Sequence, residues 1–263
     1  MSSWRMRIAF NGSGFAGWQR QPGLRTVQQS VEETLRPVFQ DPELKAAACG
    51  RTDAGVHALD MTLSFHTAND LPEGELNELL KRRLPHDIRL IEAVHAEEHF
   101  DACRDAQGKA YVYVIQPGEP DIFLKGLCWN WPTGVLVETC RTVIERLPGR
   151  HDFRSFTGRH AEKDTVRTIF RAELIRFGGI YCFYISGTGF LYKMVRRLAG
   201  FLYETACGKH SPEEFGRLLK QPERPADDVT VAPPEGLYLT KAFYEPEAWQ
   251  TDRLTGVPFL KFL

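Results

Sequence analysis

The chain reads as an α+β protein. Strands and helices are mixed along its 263 residues, and hairpin signals are present. The second half also resembles the first in outline. Together these favour α+β over a doubly wound parallel sheet.

Arg5 to Phe10 reads as the first strand. Thr26 and Gln29 form a capping-box pattern, and Val27, Val31, Leu35 and Val38 recur at helical spacing. Met61, Leu63 and Phe65 alternate with Thr62, Ser64 and His66, which predicts a half-buried strand. A helix over about 73–84 stops at Pro85, and residues 88–94 form another strand. Residues 110–115 form a strand with Tyr111 and Tyr113 on one face and Val112 and Val114 on the other. In the second half, 137–147 reads as a helix. Residues 165–177 and 180–186 make a hairpin across Gly178-Gly179. Residues 190–207 read as a long helix. Ser211, Pro212 and Glu214 start another, and 237–244 closes as a strand. The two similar halves suggest two ferredoxin-like units sharing one extended antiparallel sheet. The expected division is 1–104 and 105–263, with no low-complexity linker to mark it.

Composition narrows the function classes. A chain with 43% hydrophobic residues and this length buries roughly 70–75% of its unfolded surface. A net charge of −1 lacks the basic excess of a typical nucleic-acid binder, so any RNA site must come from local clustering. Three clusters qualify: Lys81-Arg82-Arg83, Arg167 with Arg171 and Arg176, and Lys193 with Arg196-Arg197. Each also reads as a solvated face. Six cysteines are scattered with no Cys-x-x-Cys pair, which fits neither a zinc site nor a disulfide framework. Reduced thiols in a cytoplasmic protein are the simple reading. The first ten residues carry no signal-peptide pattern, and no 18-residue apolar stretch predicts a membrane span.

Two patterns invite cofactor readings. Gly12-Ser13-Gly14-Phe15-Ala16-Gly17 satisfies G-x-G-x-x-G after a strand. A dinucleotide site needs a helix opening at those glycines, with its N-terminus on the pyrophosphate. Here Pro22-Gly23 follows, and the helix signal begins only at Thr26. A tight exposed loop packing near RNA fits better. His95 and His99 have i,i+4 spacing but no third ligand nearby, so no metal site is expected. A Gly-x-Ser-x-Gly hydrolase elbow is absent.

The most informative stretch is Cys49-Gly50-Arg51-Thr52-Asp53-Ala54-Gly55-Val56-His57-Ala58. A carboxylate stands two residues after an arginine and two before a glycine. Small neighbours admit a substrate backbone, and an Asp near an Arg stays ionised and can serve as a nucleophile. On chemistry alone a surface turn is an equal reading. The wording Gly-Arg-Thr-Asp-Ala-Gly-Val-His, however, strongly resembles the catalytic motif of the TruA family of tRNA pseudouridine synthases. The resemblance continues in order through Gly17-Trp18-Gln19-Arg20-Gln21, Thr26-Val27-Gln28, Leu84-Pro85-His86-Asp87-Ile88 and Phe100-Asp101-Ala102 with Arg104 and Ala106. It then runs through Lys109, Tyr111 and Tyr113, Asp152 to Phe156, Gly189-Phe190 with Met194-Val195-Arg196, and Gly236-Leu237-Tyr238-Leu239. Phe10-Asn11-Gly12 stands where the family usually has Tyr-Asp-Gly, and Arg82-Arg83 replaces a frequent Asn. Both departures bear on RNA contact rather than on the nucleophile.

The resemblance implies two ferredoxin-like (RRM-like) halves with helices packed on one side of the shared sheet and an active cleft between the halves. It implies isomerisation of uridine to pseudouridine at tRNA positions 38, 39 and 40, by a homodimer that uses no cofactor. Asp53 is then the nucleophile, attacking C1′ or abstracting a sugar proton. Arg51 braces the space left by the flipped base. Tyr111 stacks on the uracil and can take the C5 proton. Arg196 pairs with Asp53, and Phe190 and Leu237 wall the pocket. Lys193 and Arg197 are phosphate candidates. His57 has two readings, substrate positioning and a structural hydrogen bond. The competing functions are a paralogue acting on another RNA, a non-catalytic RNA-binding module and a dinucleotide oxidoreductase.

Overall fold

The structure is a computed structural model that describes residues 1–158, 163–222 and 229–260. In chain order the elements are β1 (Ser2–Phe10), α1 (Val27–Phe39), β2 (Ala47–Ala48), β3 (His57–Thr67), α2 (Glu73–Arg83), β4 (Ile88–His95), β5 (Gly108–Pro117), β6 (Trp129–Trp131), α3 (Arg141–Ile144), β7 (Gly149–Asp152), β8 (Val166–Phe177), β9 (Ile180–Gly187), α4 (Met194–Ala206), α5 (Pro212–Lys220) and β10 (Leu237–Phe243). The protein is a mixed α+β chain. It divides into two compact units, Met1–Gln107 with Leu239–Pro246 and Gly108–Tyr238 with Glu247–Leu263. The first cut falls at Gln107, and the chain returns to the first unit near its end.

In the first unit β1 lies between β4 and β3, antiparallel to both, and β2 adds to β3. Apolar side chains alternate along β1 and β3, and Trp4, Met6, Ile8, Met61 and Leu63 are fully buried. The buried stripe of α1 is Val27, Val31, Leu35 and Phe39. Its last residue meets the sheet through Phe65 at 5.5 Å and Trp4 at 5.8 Å between ring centroids. The expected capping of α1 is present in part: Thr26 Oγ1 accepts from the Gln29 amide at 3.4 Å, while the Gln29 side chain turns to Glu33. Asn77 on α2 bonds both backbone groups of Ala93, tying that helix to β4.

The expectation of a half-buried β3 needs correction. Its polar alternates Thr62 and Ser64 are 3% and 4% exposed. The segment after β4 covers them: Ala102 N donates to Ser64 Oγ at 3.0 Å, and Tyr244 OH donates to Ala102 O at 2.8 Å. Short polar side chains are tolerated there because each finds a partner.

In the second unit the strand order is β5-β9-β8-β7, all antiparallel, with β6 added parallel to β5. The β8–β9 hairpin turns at Gly178-Gly179. A cluster of Phe156, Phe201 and Phe215 packs α4 and α5 together, with centroids 5.3–5.9 Å apart. Ser211 caps α5 by accepting from the Glu214 amide, with Pro212 in the first turn.

Two helix expectations differ from the structure. Residues 137–147 form a 3-10 turn (Val137–Cys140) and the one-turn α3. This stretch is rich in β-branched residues, and Thr139 and Thr142 hydroxyls bond the carbonyls of Leu136 and Thr139, competing with a regular helix. The helix expected from Phe190 begins at Met194, because Lys193 adopts φ 59° and breaks the run. Among the described residues no helix is long and apolar enough to cross a membrane.

Candidate active site

The motif residues 49–56 form the loop between β2 and β3, within the first unit. Asp53 is half-buried, Arg51 is exposed and Thr52 is buried. Backbone bonds pin the loop on both sides of the aspartate. Trp18 N donates to Thr52 O at 3.1 Å, Val56 N to Asp53 O at 3.2 Å, and Gly55 N to Phe15 O at 3.2 Å.

The glycine-rich segment is therefore a bed for this loop. Gly12–Gly14 is a 3-10 turn capped by Asn11, and Gly12, Phe15, Gly17 and Trp18 are buried. At Gly17 φ is 89°, and a Cβ would stand 2.6 Å from Thr52 O and 3.1 Å from Ala54 N. A side chain there would be both strained and in collision with backbone. The expected exposed loop is thus only partly exposed: Ser13 and Gly14 face solvent while the glycines on either side are spent on packing. No helix opens at these glycines, since α1 begins at Val27, so the geometry of a dinucleotide site is lacking.

His57 is 2% exposed, and its Nδ1 accepts from Gly12 N at 3.1 Å. The structural hydrogen bond is the reading the geometry favours, and it ties the first residue of β3 to the glycine bed.

Sequence reasoning did not mark Glu32. It lies on α1 beside the apolar stripe, 2% exposed. It accepts from Arg20 at 3.0 Å, Arg36 at 3.2 Å and the Ala46 amide at 3.2 Å. Gln28, one turn earlier, links the same network to Arg20 N and Ala46 O. This buried carboxylate joins the Gly-Trp-Gln-x-Gln segment, α1 and the approach to β2. The available signal was a Glu within the stripe of Val31 and Leu35, where an unpaired acid is costly.

The second unit holds Tyr111, Phe190, Lys193, Arg196, Arg197 and Leu237. Tyr111 lies on β5, 8% exposed, and its ring meets Phe190 edge-on at 5.1 Å and 81°. Arg196 sits in the first turn of α4 and donates from Nε to Ala232 O at 2.8 Å, while its own carbonyl accepts from Ala232 N at 3.1 Å. Tyr113, on the same face of β5 as Tyr111, is fully buried and donates to Pro233 O at 2.8 Å. Burial raises its hydroxyl well above the ordinary tyrosine range. Leu237 is buried at the start of β10. Lys193 is half-buried, with its ammonium 5.1 Å from the Tyr192 ring centroid, and Arg197 is half-buried one turn on.

The other basic clusters differ in character. Lys81, Arg82 and Arg83 are exposed at the end of α2, with Lys81 and Arg82 near Glu78. Arg171 is engaged with Glu173 and Asp252 O, and Arg176 with Gly178 O.

All six cysteines are unbridged. Burial pushes the thiols of Cys140 and Cys182 up to about 12 and that of Cys128 to about 11, so none of these three is a thiolate at neutral pH. His95 is committed to Asp70 at 2.8 Å and Glu73 at 3.2 Å, which raise its pKa. Among the described residues no group of three or more His, Cys, Asp or Glu is placed to hold a metal ion.

Comparison with known proteins gives this geometry a family. A family model described as tRNA pseudouridine synthase matches residues 6–103 and 143–245. A protein named tRNA pseudouridine synthase A from Geobacillus kaustophilus is 38% identical over 242 residues, 91% of this chain and 93% of that protein. One of the same name from Geobacillus sp. (strain WCH70) is 35% identical over 240 residues, 90% of this chain and 96% of that protein. A solved structure, the Cbf5-Nop10-Gar1 complex, is similar over 76% of this chain and 44% of the matched chain at 12% identity, with a TM-score of 0.37, too slight a likeness to carry an argument. The family match spans most of the sequence and includes the Asp53 loop, and the chain belongs to the tRNA pseudouridine synthase family.

Proposed function

We propose that this pseudouridine synthase isomerises uridines 38, 39 and 40 of the tRNA anticodon stem-loop, with Asp53 as its nucleophile. The observation that carries the reading is the loop around Asp53, pinned by Trp18, Phe15 and its own turn. A half-buried carboxylate on so constrained a loop is pre-organised for attack. The relatives' names supply tRNA as the substrate class.

The reaction breaks the N1–C1′ bond, rotates the uracil and joins C5 to C1′. The C5 proton departs and N1 gains one, so no atom or electron is supplied from outside and no cofactor is required. Asp53 attacks C1′ or removes a ribose proton to start the sequence. A base in a helical stem must first be flipped out, at a cost of a few kcal/mol. Arg51, exposed beside the nucleophile, is suited to fill or brace the gap. Tyr111 stacks on the uracil with Phe190 and Leu237 as walls, and its hydroxyl takes the C5 proton. Arg196, in the matched Met194-Val195-Arg196 segment, serves as the reaction's cationic residue. Lys193 and Arg197 meet phosphates. With a net charge of −1 a single copy would bind RNA weakly, which favours a homodimer whose two copies together build the basic groove. Unbridged cysteines and a tRNA substrate favour a cytoplasmic setting.

The ferredoxin-like reading of the halves draws support from each unit separately. The first runs β1-α1-β2-β3-α2-β4 with sheet order β4-β1-β3-β2. The second supplies β5, β9 and β8 as adjacent antiparallel strands, with α3 and α4 in the crossover positions. The division proposed on this plan is 1–104 and 105–263.

The experiment is tritium release from C5-labelled uridine in unmodified tRNA by wild type and Asp53→Ala, followed by mapping. Release by wild type alone, mapped to 38–40, supports both nucleophile and target. Release mapped elsewhere would instead favour a paralogue acting on another site, for which exposed Arg82 and Arg83 are the place to look. Turnover by Asp53→Ala would overturn the nucleophile assignment.

A further inference from the structure

Glu204 stands on α4 two turns beyond Arg196, outside the residues assigned to the reaction. It is 4% exposed. Its Oε1 accepts from Thr230 Oγ1 at 2.8 Å and Lys209 Nζ at 2.9 Å. Its Oε2 accepts from the Thr230 amide at 3.4 Å and lies 3.3 Å from His210 Nε2. Two of these four contacts go to Thr230, a residue outside any helix or strand.

Positions 196, 200 and 204 recur every four residues and share one face of α4. The segment Thr230–Ala232 is fastened along that face. At Gly200 a Cβ would stand 1.7 Å from Thr230 O, so only glycine admits the segment. At the far end Ala232 exchanges two bonds with Arg196, its amide to the Arg196 carbonyl at 3.1 Å and its carbonyl from Arg196 Nε at 2.8 Å. Glu204 thus holds one end of a strap whose other end sets the plane of the Arg196 guanidinium. Immediately beyond, Pro233 O is held by Tyr113 OH.

We propose that Glu204 is a positioning residue for the isomerisation, acting through the Thr230–Ala232 strap on Arg196, an inference that rests on Arg196 belonging to the active site. An arginine side chain has four rotatable bonds, and its Nε contact fixes the guanidinium plane. Releasing Thr230 lets Ala232 O drift and the plane turn with it. Displacements of about 1 Å at a reacting centre cost on the order of a hundredfold in rate.

The test uses Glu204→Gln, Thr230→Val, Thr230→Ser and Arg196→Lys in the full chain, with folding checked by circular dichroism and melting. Single-turnover rates and KM are read on unmodified tRNA. Glu204→Gln and Thr230→Val should each lower the rate roughly ten- to a hundredfold with KM within about twofold, the pattern of a lost transition-state interaction. Thr230→Ser keeps the hydroxyl and should restore the rate. In the Arg196→Lys background Glu204→Gln should add no further loss. A wild-type rate in folded Glu204→Gln and Thr230→Val, or losses that multiply fully with Arg196→Lys, would overturn the proposal while leaving Arg196 in the site. Should Glu204→Gln fail to fold, the Thr230 variants and their cycle with Arg196→Lys decide alone. A wild-type rate for Arg196→Lys would remove Arg196 from the site and the proposal with it.

Discussion

Gly17 lies beneath Thr52, the residue before Asp53, closer than any side chain allows: a Cβ would stand 2.6 Å from the Thr52 carbonyl oxygen. One residue on, the Trp18 amide donates to that same oxygen at 3.1 Å. The carbonyl is therefore held by a donor and by bare contact with backbone, and the aspartate that follows inherits the constraint.

Gly17→Ala should damage catalysis and stability together. At φ 89° an alanine costs on the order of 1–3 kcal/mol, and the overlap with Thr52 pushes the motif loop away. The expected result is a lower melting temperature and a kcat reduced at least about tenfold in the protein that remains folded. Unchanged kcat in a folded Gly17→Ala protein would show that the bed does not set the position of Asp53.

Asp53→Asn keeps the size of the side chain and removes its charge. If the carboxylate is the nucleophile, turnover should fall by about 10⁴ or more while affinity for tRNA changes little, since the loss is confined to the chemical step. A gel-shift titration beside the tritium assay reads both. Parallel loss of binding and turnover would instead make Asp53 a binding or folding residue.

Phe190→Leu tests the proposed role of Phe190 as a wall for the uracil. It keeps the position apolar with a smaller side chain and loses the edge-on contact with Tyr111 at 5.1 Å. Aromatic pairs contribute about 0.5–1.5 kcal/mol beyond area burial, so kcat/KM should drop roughly 2- to 10-fold. A change confined to melting temperature would assign the pair to core packing alone.

Features with local causes were legible in the sequence. The Thr26 cap, the Gly178-Gly179 turn and the Ser211-Pro212 start each depend on neighbours within four residues, and each stands in the structure. The family was legible for a different reason, since the run around Asp53 carries its wording. What escaped depends on distant partners. G-x-G-x-x-G announces backbone freedom but not what presses against it, so the bed beneath Thr52 read as an exposed loop. The partner of His57 is 45 residues away at Gly12. The burial of Thr62 and Ser64 needed the segment at Ala102, and Glu32 needed Arg20, Arg36 and Ala46 at once. The left-handed turn at Lys193 ran against its own helical pattern, because nothing local favours φ 59° for a lysine.

Asp87 should make the first unit sensitive to acid. Arg25 binds it through its two terminal guanidinium nitrogens, Nη1 and Nη2, at 2.6 and 2.8 Å while lying 4.1 Å over the Phe15 ring and 3.4 Å from Gly14 O. The hydrogen bond from Arg25 is the main cause holding the Asp87 carboxyl below its usual value of 3.8. A depressed carboxylate contributes stability that is fully present above the unfolded value and is lost as pH falls through the folded one. Its contribution should therefore be intact at neutral pH and decline below pH 3.8. Arg25 is 45% exposed, so solvent screening limits the pair to about 0.5–1 kcal/mol. Asp87→Asn should lower stability by that amount at pH 7 and flatten the acid limb of the unfolding free energy, measured by urea titration at several pH values. The same variant loosens Arg25 from the Gly12–Phe15 turn, so a modest fall in kcat should accompany it. Equal destabilisation at pH 7 and at pH 2.5 would show that the pair contributes through packing and not through charge.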